Sequence, residues 1–380
     1  MTPIKSISYV LLASLGLFNS MNSAKAVDIG STAYSTFPLE VGSGQASMAV
    51  CDFNSDGYQD VIIANYTDNN IIAYQGNGKG KLIEVGRFPV GDSPSGISVS
   101  DINNDGNSDV AIANHETSYV TLLLGDGKGA FKKAQQSPFN IDIKPHPHEV
   151  RLSDIDGDNK VDLIVDSRTH EGLLVLKGLS NGSFQKPGKV INVGGDPYRG
   201  FAINDINGDE ALDFVTPNQN HIGVVINNNS NDMTFSLKKL SQTGSPFAVE
   251  LAEMNGDGNM DLVIATNGSL ITVIPGDGNG NFLEEEKTEI QSSSGAKQIA
   301  IGDINADGIK DALVSNWSGQ ILAIFGSKTS IETISFEHSS IPNPWGIALA
   351  DLNNDGKSDF IIADGDSKSA VVYVSQDISD

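Results

Sequence analysis

Seven acidic segments of the chain share one spelling, and that spelling is the part of the sequence most able to do chemistry. The first reads Asp52-Phe53-Asn54-Ser55-Asp56-Gly57-Tyr58-Gln59-Asp60, and the second runs from Asp101 to Asp109. The others begin at Asp154, Asp205, Glu253, Asp303 and Asp351, with successive starts 48 to 53 residues apart. Side-chain oxygens stand at positions 1, 3, 5 and 9 of every segment. They belong to Asp52, Asn54, Asp56 and Asp60; Asp101, Asn103, Asp105 and Asp109; Asp154, Asp156, Asp158 and Asp162; and Asp205, Asn207, Asp209 and Asp213. The set continues with Glu253, Asn255, Asp257 and Asp261; Asp303, Asn305, Asp307 and Asp311; and Asp351, Asn353, Asp355 and Asp359.

Acids and amides at this spacing converge when the chain curls, and the carbonyl of position 7 joins them. A flexible cage of hard oxygen donors suits Ca²⁺, whereas Mg²⁺ wants fewer protein ligands and stricter geometry. Up to seven Ca²⁺ ions are therefore expected. Position 6 is Gly in five segments, where the curl needs positive φ. Position 7 varies (Tyr58, Lys160, Ile309), as it should when only its carbonyl is used. An EF-hand is excluded, because no Glu stands at position 12 and strands flank the loop. Simple Asx-turns would not gather three carboxylates per loop. Asn159 at position 6 tolerates a left-handed backbone, Glu210 does not, and Glu253 is one methylene longer than Asp. The fourth and fifth loops are expected to be the weakest.

The elements that must position these loops are strands. Large apolar residues sit four and two places before each first acid, as in Met48 and Val50 or Ile299 and Ile301. That alternation has the period of a strand. After position 9 comes a second β run such as Val61-Ile62-Ile63-Ala64, then a third such as Val120 to Leu124, then a more variable fourth. Four strands per repeat of about 50 residues describe a propeller blade. The fold class expected is all-β: a seven-bladed β-propeller of four-stranded antiparallel blades. The last repeat ends after its third strand, near Val371 to Ser375, so Thr36 to Val41 should complete that blade and close the ring. The Gly-rich turns (Gly76 to Gly80, Gly125 to Gly129, Gly276 to Gly280) open no helix, so they read as hairpin turns rather than phosphate loops.

The acidic loop with its strand flanks resembles the FG-GAP / VCBS-type repeat family, the calcium-binding propeller class that includes integrin α-subunit heads. The likeness covers nearly all of residues 27–380. The Phe-Gly and Gly-Ala-Pro words of the integrin version are poorly kept, which points to the bacterial VCBS-like branch.

Residues 1–26 read as a secretory leader: Lys5, an apolar run from Ile7 to Phe18, and Ala24-Lys25-Ala26 as the cleavage site. Residues 27–380 then form one domain, secreted or periplasmic, with no membrane span expected. Cys51 is the single cysteine, which rules out an internal disulfide and any Cys-built metal site. With 48 acidic against 24 basic residues, the net charge of −24 would repel a nucleic-acid backbone.

In a four-stranded blade the acidic loops and the Gly-rich turns share one face of the disc. The opposite face should carry Tyr66, His115, His146, His148, Arg168, His170, Tyr198, Arg199, His221, Trp317 and Trp345. Aromatic, His and Arg side chains on the loops of a rigid scaffold are what binding sites use. The leading expectation is a monomeric binding or adhesion module whose ligand is a glycan, another small polar molecule or a protein. An alternative is a polysaccharide lyase or hydrolase working on the same face, although no catalytic set is recognisable. Another is a transition-metal accessory protein using His146, His148 and His170 with His115 nearby. Arg151 and Glu250 intrude where other inner strands carry Ala or Ser.

Overall fold

The computed structural model describes residues 25–44, 46–143, 146–167, 172–197, 200–228, 233–241 and 244–376. Arg168, His170, Tyr198 and Arg199 lie outside them, as does nearly all of the expected leader. Among the described residues the strands form seven antiparallel sheets, one per repeat, around a central channel. The first blade shows the plan: Ala46–Cys51 innermost, then Asp60–Asn65, Asn70–Gly76 and Leu82–Pro89. In six blades the second strand is buried along its length, as in Asp60–Asn65 and Asp311–Asn316, because blades cover both its faces. The hydrophobic clusters accordingly lie between neighbouring blades. Helical structure among the described residues is one 3₁₀ turn, Glu284–Glu286.

The chain termini share the seventh blade. Thr32–Glu40 pairs with Ser369–Gln376, with Thr36 opposite Tyr373. The closing strand thus starts four residues earlier than Thr36. A further strand, Lys25–Ile29, folds back onto it as a fifth. Tyr34, wholly buried, places its hydroxyl 3.1 Å from the carbonyls of both Ile304 and Ser358, and the Thr32 hydroxyl donates to Ile304.

Every acidic loop takes positive φ at position 6, including Asn159 at 63° and Glu210 at 70°. Position 4 does the same in all seven, at Ser55, Asn104, Gly157, Gly208, Gly256, Ala306 and Asn354. Two left-handed residues separated by one other give the loop its curl. A left-handed Glu is strained by its Cβ. We therefore expect Glu210→Gly to raise stability by about 1 kcal/mol, read as a shift in denaturation midpoint. A lower midpoint would show that the Glu210 side chain contributes more than its backbone costs.

Candidate functional site

The two faces of the disc carry different chemistry. On the loop face, the position-9 aspartates are the most buried acids, all at 0–1% exposure. One oxygen of each accepts the position-2 N–H and the other accepts an N–H near the end of the third strand, at 2.7–3.1 Å. Asp60 does so with Phe53 and Gly76, and Asp311 with Ile304 and Gly326. Burial, reinforced by the other loop carboxylates, pushes these acids up to about 6, and Asp311 to about 7. Position 1 is oriented by backbone: Asp101 accepts the N–H groups of Asp105 at 3.2 Å and Gly106 at 2.8 Å. In the fifth loop one oxygen of the longer Glu253 takes the N–H groups of Asn255, Gly256 and Asp257.

The third loop differs in charge. Carboxylate oxygens of Asp154, Asp156 and Asp162 lie within 4.8 Å of one another. Lys177 pairs with Asp156, and Lys160 reaches Asp158 at 2.6 Å. Two ammonium groups therefore already offset this cluster.

The loops also join blades. The position-2 carbonyl of one loop accepts a hydrogen bond from the next blade: Gly182 N–H to Ile102, Asn227 Nδ2 to Ile155, Ser327 N–H to Met254 and Gly80 N–H to Leu352. Loop geometry and ring geometry are thus coupled.

The central channel holds a cavity of about 500 Å³. Its lining includes Tyr66, His115, His148, Glu149, Arg151, Glu250, Lys297 and Trp345. Arg151 ion-pairs with Glu149, and Glu250 acts on the same guanidinium across the channel. Burial pushes Glu149 and Glu250 up to about 7 even with that cation near. The inner-strand intrusions noted at Arg151 and Glu250 therefore face one cavity, although their blades are not adjacent.

The structure sorts the expected face residues into three groups. Tyr66, His115, His146 and His148 come together where the first three blades meet. Rings of His115 and His146 are 3.7 Å apart between centroids, and Tyr66 Oη is 3.2 Å from His115 Nδ1. Trp317 and Trp345 form an edge-on pair at 5.2 Å, with the Lys297 ammonium 5.0 and 5.2 Å from their rings. Trp345 is only 6% exposed, so the rim surface of this pair is Trp317, at 47%. His221 stands apart, beside Asn218 and Asn220 on the fourth blade.

Sequence reasoning missed Lys297 and Asp166. Lys297 is 3% exposed and donates to Pro344 O at 2.9 Å. Burial lowers it from an ordinary 10.5 to about 8. The folded protein thus sheds this proton near pH 8, and the unfolded chain keeps it to about 10.5. Stability from this group should rise with pH across that window and be lowest below pH 8. The native protein should gain on Lys297→Met between pH 8 and 10. A difference independent of pH would contradict the assignment.

These features define a seven-bladed propeller with acidic inter-strand loops on one face and a polar channel mouth on the other. A family model described as an FG-GAP-like repeat matches residues 52–112, 101–165, 205–264 and 253–314, more than half of the chain. The chain belongs to that family. No curated protein sequence matches it. Among solved structures, it resembles BBS1N in complex with ARL6DN (TM-score 0.62, 11% identity, 90% of this chain and 97% of that one). It also resembles an Agrocybe aegerita lectin recognising non-reducing terminal N-acetylglucosamine (0.56, 15%, 85% and 86%). A third is YCF48 bound to D1 peptide (0.57, 10%, 93% and 100%). At these identities the likeness is one of fold. Among the described residues no helix is long and apolar enough to cross a membrane.

Proposed function

We propose that this protein is an exported, calcium-stabilised propeller that acts as a binding or adhesion module, taking a polar ligand at the channel mouth opposite the acidic loops. The observation that carries this reading is the 500 Å³ cavity, which brings charged, imidazole and indole side chains of several blades together. Its volume is that of a small-ligand site. Exposed Trp317 offers a face on which a sugar ring can stack.

Calcium suits the opposite face. The donors at positions 1, 3, 5 and 9 are all oxygen, and backbone N–H groups already orient position 1. An ion there would neutralise acids that the fold holds close together and, at position 9, buries. Export rests on the leader. Cleavage after Ala26 would leave Val27–Ile29 of the outermost strand in place.

A glycan ligand is favoured over a protein because the channel is a concave pocket rather than a broad apolar surface; the lectin of similar fold supports this as a precedent. The test is a glycan array probed with native protein and Trp317→Ala in saturating Ca²⁺. One glycan class retained by the native protein and weakened about ten- to hundredfold by Trp317→Ala is expected. Binding indifferent to Trp317→Ala would move recognition elsewhere. Retention only of peptides or proteins would replace the glycan reading. Turnover of the glycan would favour a lyase or hydrolase, for which Glu149 and Glu250 are candidate acid–base groups.

A further inference from the structure

The histidines at the junction of the first three blades pose a problem in proton placement. His115 Nε2 and His148 Nε2 face each other at 3.3 Å. The other nitrogen of each ring lies by a carboxylate. His115 Nδ1 is 2.9 Å from Glu116 Oε1, with the Tyr66 hydroxyl also 3.2 Å away. His148 Nδ1 is 3.5 Å from Asp166 Oδ2, within ion-pair reach but not hydrogen-bonded to it. A carboxylate accepts only, so Glu116 and Asp166 favour the tautomer with a hydrogen on each Nδ1, the Tyr66 hydroxyl then donating to Glu116 Oε1. Both Nε2 lone pairs then point at one another. Two acceptors at that distance repel unless a proton or a metal cation stands between them.

We infer that His115, His146 and His148 form a binding site for a divalent transition-metal ion of the Zn²⁺ type, with Asp166 as the buried carboxylate that orients His148. Three lines support it. First, tetrahedral ligands at about 2.0–2.1 Å from zinc lie about 3.3–3.4 Å apart, which is the observed Nε2 separation. Second, ligating nitrogens of all three histidines can be chosen within 4.8 Å of one another. His146 reaches the cluster through a backbone φ of 117°, a strained value for a residue with a Cβ.

Third, Asp166 is wholly buried and its Oδ2 has no hydrogen-bond partner among the described residues, while Oδ1 accepts the N–H groups of His148 and Glu149 at 2.8 and 2.6 Å. The corresponding residue of the other repeats is Ala64, Ala113, Pro217, Ala265, Ser315 or Ala363. A charge buried there, aimed at an imidazole, matches the carboxylate–histidine–metal arrangement. Three nitrogens leave a fourth position open, and His115 and His148 line the channel cavity, so that position faces it. Imidazole donors select Zn²⁺, Cu²⁺ or Ni²⁺ over Ca²⁺. The site is therefore chemically independent of the acidic loops, while it opens into the cavity assigned to the polar ligand, and metal retention in the absence of glycan separates the two readings.

The test uses the full mature chain, stripped with chelator and returned to saturating Ca²⁺, then dialysed against Zn²⁺ and, separately, Co²⁺. One Zn²⁺ per chain should be retained against excess Ca²⁺, and Co²⁺ should give the visible absorption of a low-coordinate nitrogen site. His115→Gln with His148→Gln should abolish both while leaving the Ca²⁺-dependent melt intact. Asp166→Asn should weaken Zn²⁺ about ten- to hundredfold. If Asp166→Asn does not fold, His146→Gln takes its place and should also weaken Zn²⁺. No Zn²⁺ retained by the native chain, or equal retention by the double variant, overturns the proposal. Undiminished affinity in folded Asp166→Asn overturns the role of that carboxylate.

Discussion

A chain beginning at Val41 is expected to aggregate or to melt far below the native protein, whereas one beginning at Val27 should be unaffected. The missing strand, Thr32–Glu40, covers the edge of Ser369–Gln376 along eight paired residues. An uncovered edge is a template for pairing with other chains. The strand also carries Tyr34, wholly buried, whose ring lies 4.9 Å from Phe360 and whose hydroxyl reaches carbonyls on the sixth and seventh acidic loops. Tyr34→Ala alone should cost about 3–5 kcal/mol, the usual loss for a buried aromatic. Tyr34→Phe keeps the ring and should cost about 1 kcal/mol, one hydrogen bond. Light scattering with chemical denaturation checks both. A stable, monodisperse chain beginning at Val41 would mean that the seventh blade does not need its N-terminal strand.

The blades were legible because a propeller writes its plan seven times. The acid spelling, the two apolar residues ahead of it and the missing last strand gave architecture, register and closure without any single repeat being decisive. Exact ends were less legible, since nothing in the spelling of Thr32 to Ser35 distinguishes a strand from the linker before it. The curl at position 4 was hidden for a related reason. Gly157, Gly208 and Gly256 signal it, but Ser55 and Ala306 do not.

The channel mouth was only half legible. Loop aromatics and histidines stood out by type, yet which of them meet depends on ring geometry. Aligning the repeats on the first acid would have helped. Six residues before it stand Ala46, Ser95, His148, Arg199, Phe247, Lys297 and Trp345, one per repeat. Asp166 emerges only when its column is read, since the other six repeats place Ala, Pro or Ser there, whereas Lys297 shares a mixed column with His148 and Arg199 and stands out only by its burial. Trp345 shows the opposite failure: a loop aromatic by sequence, it is buried against Lys297 and Trp317.

Chelation of calcium should lower the melting temperature more than any single substitution on the channel side, and Ca²⁺ should restore it better than Mg²⁺. Each loop holds about three carboxylates close together, and the position-9 member is buried at 0–1% exposure. Without a cation their repulsion acts on loops whose position-2 carbonyls latch one blade to the next, at Ile102, Ile155, Met254 and Leu352. A site filled at a hundred times its dissociation constant adds about 2.7 kcal/mol, so several loops acting together exceed the effect of one residue. The third loop, rather than the fourth or fifth that sequence alone marked as weakest, should contribute least, because Lys160 and Lys177 already pair with two of its four acids, Asp158 and Asp156. Lys160→Ala with Lys177→Ala should therefore increase the stabilisation gained per calcium added, while Asp105→Ala should decrease it. Calorimetric melts across a calcium titration distinguish these outcomes. A melt unchanged in excess chelator would mean that backbone hydrogen bonds alone hold the loops, and that their carboxylates serve as turn-forming acceptors rather than as metal ligands.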